Sequence, residues 1–493
     1  MRTRIRPCML VLTVIACTAA ASPVGEHAAR AAAESWLAMN GMDTDCRIAS
    51  SVAVTSGESP ETLAWAFELE PTGYVVTGAD DVLPAILAYS YSADLRIPGE
   101  ASNPLLDLVR MDMGERMESL DRLSPETADR NRGAWVAALS GGSVRTAGTD
   151  FEQWPPVGSS PTEGWIEQNW TQTAPYNQLC PMDLLAGQRS VAGCPAVAMG
   201  MIVNFHASSN GTRFDDEDDY YHNYHEYYWI DDDHVAHDFP SWSELDAYLD
   251  AVDVRWQNQE PLTNVDKAAV VYACGAACRQ VYTASVSGTF GVDQAYDAYL
   301  RFGFDDCELL FAESDSLYER MAENMMTARP AHLAIIDEGP QYGHNVVMDG
   351  YNTDGFFHLN FGWGGPYNGW YSFPLSGMPY GMNFVEGIVL DIGEPSQSAG
   401  EDPVPGGPAV GIRCLGNPCS GSARLALDLP AGCDLTLSVY ALDGRLVDST
   451  RLGELPPGPH EVTWDAGGSA PGVYVVVASH PGGVGTAMLT LLD

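Results

Sequence analysis

Two breaks in composition limit how this chain can fold. Gly- and Ser-rich sequence around Ser140–Ser143 and Gly158–Ser160, and a Pro-, Gly- and acid-rich stretch from Gly393 to Gly411, divide the 493 residues into pieces. A chain of this length exceeds what one hydrophobic core supports, so about three domains are expected. The boundaries predicted are a leader over 1–22, a first unit over 23–150, a second over 151–392, a linker over 393–411 and a last unit over 412–493.

Each unit has its own pattern. In the first, Glu26–Met39 reads as an alanine-rich helix. Strand-like runs follow at Leu63–Leu69, Gly73–Thr77 and Ala85–Tyr91, then helices over Asn103–Leu123 and Pro125–Leu139. The second places helical runs at 194–206 and 264–282 ahead of strands at Ala331–Ile336, Asn345–Met348, Phe356–Asn360 and Trp370–Phe373. Helices first and sheet second is an α+β pattern with room for a cleft between the halves. In the last, Leu425, Leu427 and Leu429 alternate with polar residues, as do Leu435, Leu437 and Val439. Turn signals punctuate five or six strands, which predicts a small immunoglobulin-like β-sandwich.

Composition narrows the partners. The net charge is −42, and Lys267 is the single lysine. Such a surface repels nucleic acid and anionic membranes, both of which require basic patches. Arg2, Arg4 and Arg6 precede the apolar run Met9–Ala16 and small residues at 18–21, the pattern of a secretory signal. Val14-Ile-Ala-Cys17 also matches a lipobox, which would leave Cys17 lipidated at a cell surface. No later stretch is long and apolar enough for a transmembrane helix. Export permits disulfides among Cys46, Cys180, Cys274, Cys278, Cys307, Cys414, Cys419 and Cys433, with the pairing open. Cys274 and Cys278 could form a metal pair, but without histidines at ligand spacing they read better as buried small residues. The acidic blocks Asp215–Asp219 and Asp231–Asp233 lack the glycine-punctuated spacing of a calcium loop and read as a solvated surface.

The chemistry concentrates around Cys194. In Gln188-Arg-Ser-Val-Ala-Gly-Cys194-Pro-Ala-Val, a cysteine opens an apolar helix. The helix N-terminus favours thiolate over thiol. Gln188, six residues earlier, can donate to a developing oxyanion beside the Cys194 N–H. Pro195 suits the first helical turn, where its missing N–H has no helical partner. Far downstream, His344 and Asn360 flank a predicted hairpin. A loop centred on Asn352 sets residue 344 opposite 360, so that the Asn360 amide orients the imidazole while Trp363 roofs it.

These motifs together resemble streptopain, a papain-superfamily cysteine peptidase. The likeness rests on Gln188…Gly193-Cys194, Gly343-His344, Asp349-Gly350-Tyr351, His358-Leu-Asn360-Phe-Gly-Trp363-Gly-Gly365 and Trp170–Asn177. Gly73–Asp81 and Pro84–Ser90 resemble that family's inhibitory pro-domain. The resemblance implies a papain-like two-subdomain peptidase, helical half plus antiparallel sheet half, behind an α+β pro-domain. It implies Cys194 as nucleophile, His344 as base, Gln188 as oxyanion donor, and Asn360 and Trp363 as support. It further implies a monomeric, secreted endopeptidase acting on polypeptide substrates, held latent by its own pro-domain and needing no metal or cofactor. An inactive peptidase fold used for binding, and a thiol acyltransferase or amidase, are the alternatives. The sequence departs from the pattern at Pro195, at Asn345 where a small residue is usual, and at Phe361, which replaces the first of two tryptophans.

Overall fold

A computed structural model describes residues 21–493 except 43, 57–59, 97–102, 141–150, 313, 315, 337–342, 375–377, 394–410 and short turns of the last module (416–418, 430–431, 442–445, 468, 470–471, 481–482, 493). Residues 1–20 of the expected leader, 141–150 of the first Gly- and Ser-rich stretch and 394–410 of the expected linker therefore lie outside the described residues. The chain divides into two compact units, 1–399 and 400–493.

The larger unit begins with α1 (Glu26–Met39), which buries Ala29, Ala33, Trp36 and Leu37. An antiparallel meander follows: β1 (Arg47–Thr55), β2 (Thr62–Glu70), β3 (Tyr74–Gly78) and β4 (Ile86–Ser90). Next comes α2 (Pro104–Glu118). Asn103 caps it, accepting from the Leu106 N–H, and Pro104 occupies its first turn. Helix α3 (Pro125–Leu139) starts in the same way, behind Ser124.

Short pairings β5 (Gln153–Trp154), β6 (Met182–Asp183) and β7 (Gln188–Arg189) lead to α4 (Cys194–His206). After α4 come a hairpin, β8 (Tyr220–Tyr224) and β9 (Glu226–Ile230), and a single helical turn, α5 (His234–His237). Three helices complete this half: α6 (Trp242–Gln257), α7 (Asn264–Ala277) and α8 (Val292–Arg301). Capping boxes at Ser241/Glu244 and Thr263/Asp266 define where α6 and α7 begin. Helix α7 stops at Ala277, short of the predicted 282, because the chain turns there to return alongside Gly193.

The sheet half comprises β10 (Glu308–Leu310), α9 (Leu317–Met326), β11 (Ala331–Ile336), β12 (Gly343–Asn352), β13 (Phe356–Asn360), β14 (Gly369–Tyr371) and β15 (Val385–Leu390). Residues Val346, Met348 and Leu333 pack one face of this sheet. Val347 and Val389 on the other join the core of the helical half, where residues 195–203 of α4 are all buried.

The β1–β4 meander and this sheet are one sheet. Strand β4 pairs with β14 through Trp370↔Tyr89 and Tyr371↔Ala88, giving the order β1-β2-β3-β4-β14-β13-β12-β11-β15-β10. First and second predicted units therefore share a sheet within one compact body. In the smaller unit, a three-stranded and a five-stranded sheet enclose Leu425, Leu427, Leu437, Val439, Trp464 and Val476. Eight strands are described there rather than five or six, because Gly411–Leu415 and Cys419–Ser420 also pair.

Candidate active site

Cys194 opens α4 behind Gly193, whose φ of +85° lies in the region that favours glycine. A side chain at Gly193 would also collide with Gln280, since its Cβ would come 2.7 Å from Oε1. The Gln280 amide donates to the Ala192 carbonyl at 2.6 Å, bracing the segment that delivers the cysteine. Gly193 offers no side-chain cap, and the cysteine's own N–H at the head of α4 acts on its thiol. Burial pushes the Cys194 thiol above its usual range, while the Asn345 N–H groups and the cysteine's own N–H act the other way.

His344 is 5% exposed at the start of β12. Its Nε2 lies 2.9 Å from the Phe361 carbonyl oxygen. A carbonyl only accepts, so Nε2 carries the proton and Nδ1 keeps its lone pair. The imidazole lies nearly parallel to Phe361, with centroids 6.1 Å apart and planes 8° apart, and edge-on to Trp363 at 5.9 Å. Burial against these rings pushes the His344 pKa down to about 4, so the ring is neutral near pH 7. Among the described residues no hydrogen bond joins imidazole and thiol. The sulfur instead meets the backbone N–H of Asn345 at 3.4 Å and that residue's amide nitrogen at 3.9 Å.

The hairpin register differs from the expectation. Strands β12 and β13 pair Val347↔Asn360 and Asn352↔Phe356, with an irregularity between Met348 and Gly350, so residue 344 does not face 360. The turn is centred two residues later than predicted. The Asn352 side chain accepts from the N–H groups of Asp354 and Phe356, and Gly355 takes a φ of +84°. Asn360 consequently donates to the Gln168 carbonyl and accepts from the Gly362 N–H, supporting the glycine loop rather than the imidazole. The Phe361 carbonyl, a backbone group without a sequence signature, is what the ring binds. Trp363 packs edge-on against the ring, without the Asn360–His344 contact it was expected to roof. Gln188 is exposed in β7, opposite Asp183, and has no side-chain hydrogen bond among the described residues.

The second histidine of the hairpin is structural. His358 is buried against Asp349 at 2.6 Å and packs edge-on to Trp370. The described cysteines are all free, and burial pushes Cys180, Cys278 and Cys307 to about 12, which makes them inert at neutral pH. The side chains of Cys414 and Cys433 lie outside the described residues. Among the described residues no cluster of His, Cys, Asp or Glu is arranged to hold a metal ion, and no helix is long and apolar enough to cross a membrane. The acidic blocks are engaged locally. Asp218 binds Arg301, and Asp219 accepts from the Trp242 indole.

Comparison with known proteins places this arrangement. Residues 170–371 match the Peptidase C10 family, and residues 21–112 match the Spi protease inhibitor. Residues 170–371 are thus similar to the Peptidase C10, or streptopain, family. The thiol protease/hemagglutinin PrtT of Porphyromonas gingivalis is 24% identical over 332 residues, covering 64% of this chain and 34% of that protein. The chain thus spans about a third of that relative's length. Among solved structures, a prointerpain A fragment from Prevotella intermedia aligns at 19% identity and a TM-score of 0.46, covering 70% of this chain and all of that one. Active interpain A aligns at 22% identity and a TM-score of 0.35, covering 46% and 94%. The C10 match contains Cys194, His344, Asn360 and Trp363, and the inhibitor match contains the whole β1–β4 meander.

Proposed function

We propose that the chain is a secreted cysteine endopeptidase made as a latent precursor, with Cys194 as nucleophile and His344 as general base. The observation that carries this reading is the pinned tautomer. With Nε2–H held by the Phe361 carbonyl, Nδ1 is the free basic nitrogen. The N–H of Asn345, next to His344 on β12, already touches the sulfur, and the reading requires rotation of the His344 side chain to bring Nδ1 to the thiol. His344 then takes the thiol proton, and the Cys194 sulfur attacks the substrate carbonyl carbon. The Cys194 N–H at the head of α4, with the Gln188 amide swung in from its exposed hairpin, stabilises the oxyanion. The imidazolium protonates the leaving amine as the C–N bond breaks. Water, deprotonated by the same ring, hydrolyses the thioester.

Latency follows from what the pro-domain grips. The Tyr74 hydroxyl donates to the carbonyls of Tyr367 and Asn368, and the Tyr367 N–H donates to the Asp94 carbonyl. These contacts hold the glycine loop whose Trp363 packs on His344, so the ring stays neutral and unpaired with the thiol. The leader at 1–22 directs export, and the last module serves sorting or adhesion outside the cell.

The decisive experiment is incubation of the purified chain with a reductant at mildly acidic to neutral pH, followed by intact-mass analysis. Self-cleavage between the pro-domain and residue 160, lost in Cys194→Ala, is the expected result. Processing that persists in that variant would sink the assignment. Activity no higher after removal of residues 23–150 would sink latency.

A further inference from the structure

The residue on the sulfur is Asn345, and it is held by two others buried behind it. On β11 and β12, Asn345 lies across from Ala334, with His332 two residues along on the same face. His332 is fully buried, and its Nε2 is 2.7 Å from the Asn345 Oδ1. Its Nδ1 is 3.1 Å from the hydroxyl of Tyr299, a fully buried residue of α8. Asn345 completes the line with its amide nitrogen 3.9 Å from the Cys194 sulfur.

Direction along this line follows from the Asn345 amide, whose oxygen the structure sets towards His332. The Asn345 oxygen that faces His332 can only accept, so His332 Nε2 carries a proton. Burial pushes the His332 pKa down to about 4, which leaves a neutral ring with a single N–H. Nδ1 is therefore an acceptor, and the Tyr299 O–H donates to it. Were the ring in its other tautomer, Nε2 would need a donor. The Asn345 amide would then turn over and set its carbonyl oxygen against the sulfur.

We propose that Tyr299, His332 and Asn345 form a one-way hydrogen-bond relay that presents an amide N–H to the Cys194 sulfur. Asn345 touches the reacting atom, while His332 and Tyr299 are positioning residues that keep its amide the right way round. The relay rests on the reading of Cys194 as nucleophile. An N–H near sulfur favours the anion, and a carbonyl in the same place disfavours it. The departure at Asn345 from the small residue usual there thus adds a second donor beside the backbone N–H of the same residue.

The test is alkylation of Cys194 in the full chain by iodoacetamide from pH 5 to 10, followed by mass spectrometry of the peptide containing it. Below its pKa a thiol reacts in proportion to its thiolate fraction. Asn345→Ala, Tyr299→Phe and His332→Leu should each react about fivefold more slowly at pH 7, with the midpoint about 0.7 pH unit higher. His332→Gln can accept from Tyr299 and donate to Asn345, so it should recover most of the loss seen in His332→Leu. Tyr299→Phe removes one oxygen and keeps the ring, so it separates the relay from packing. Profiles for Asn345→Ala that superimpose on the unaltered chain would overturn the proposal. So would a shift in Asn345→Ala that Tyr299→Phe and His332→Leu both fail to reproduce. If instead Cys194→Ala still cleaves substrate, the nucleophile assignment fails, whatever the relay does to alkylation.

Discussion

At the pro-domain joint the Arg116 guanidinium is bound by Asp112 at 2.6 Å and by the Ser372 carbonyl at 2.7 Å, whereas the thiol and imidazole of the candidate active site share no hydrogen bond. Both regions lie along the same eleven-stranded sheet, and both bury polar groups. At the joint, Asp112 also accepts from the Tyr371 hydroxyl at 2.6 Å, and Arg116 lies over the Tyr380 ring. Asn352 donates to the Tyr89 hydroxyl, and Glu163 accepts from the Trp370 indole and the Tyr91 N–H. The joint is satisfied from several directions. The candidate catalytic pair is held by fewer bonds, Cys194 by its helix and the Asn345 N–H groups, and His344 by one carbonyl and two flanking rings. The difference teaches how each region is held. A strongly made interface fixes the loop beside the imidazole, and the imidazole is tied by a single hydrogen bond.

The strongest way to break this comparison is to remove the proposed base. His344→Ala in the processed enzyme should lower kcat/KM by about 10³-fold or more, in the range of general-base loss. A loss below tenfold would mean that the unpaired imidazole seen here is not the base of the working site.

The joint is probed next. Arg116→Ala strands Asp112 as an uncompensated buried charge, and the full chain in a Cys194→Ala background should lose about 3–5 kcal/mol of unfolding free energy. Replacing both partners, as Asp112→Asn with Arg116→Met, should cost less than Arg116→Ala alone. Equal losses would show that packing, and not the ion pair, secures the interface.

Acid sharpens the comparison further. His332 and His344 are each pushed by burial from an ordinary value near 6.5 down to about 4. The unfolded chain therefore binds protons that the folded chain refuses between pH 6.5 and 4. Their contribution is fully present above about pH 6.5 and is lost as pH falls towards 4, about 3 kcal/mol for each imidazole. Denaturant unfolding at pH 7, 6, 5 and 4 should show this slope, and His332→Gln should remove about half of the part due to these two residues. An unchanged slope in that variant would place the acid sensitivity elsewhere.

Much of this was legible in the sequence where one element carries its own signal. The cysteine-headed helix and the strands Ala331–Ile336 and Phe356–Asn360 all lie where residue pattern and motif put them. Helix α8 was missed although Val292, Ala295, Ala298 and Tyr299 do fall on one buried face, because glycines and acids crowd its start. The hairpin register was not recoverable from spacing alone. It depends on whether Asn352 sits at the centre of the turn or caps its first residue, and only the side-chain bonds to Asp354 and Phe356 decide that. The Phe361 carbonyl and the Tyr299–His332–Asn345 line are invisible for a deeper reason. One is a backbone atom, and the other joins residues from three elements that only folding brings together.

The smallest predicted effect bears most directly on that register. Asn360→Ala removes the bonds to the Gln168 carbonyl and the Gly362 N–H, which steady the loop under Trp363, and leaves the Phe361–His344 bond in place. The expected result is a kcat about fivefold lower with little change in KM, the scale of one ordinary hydrogen bond. The pH dependence of kcat/KM should not move, because the imidazole keeps its partner. An Asn360→Ala enzyme as impaired as His344→Ala, or one whose acid limb shifts, would mean that the amide reaches the ring once the pro-domain has gone. The sheet would then have to slip its register near Met348 on activation, and the catalytic pair would be assembled by the strand rather than by rotation of a side chain.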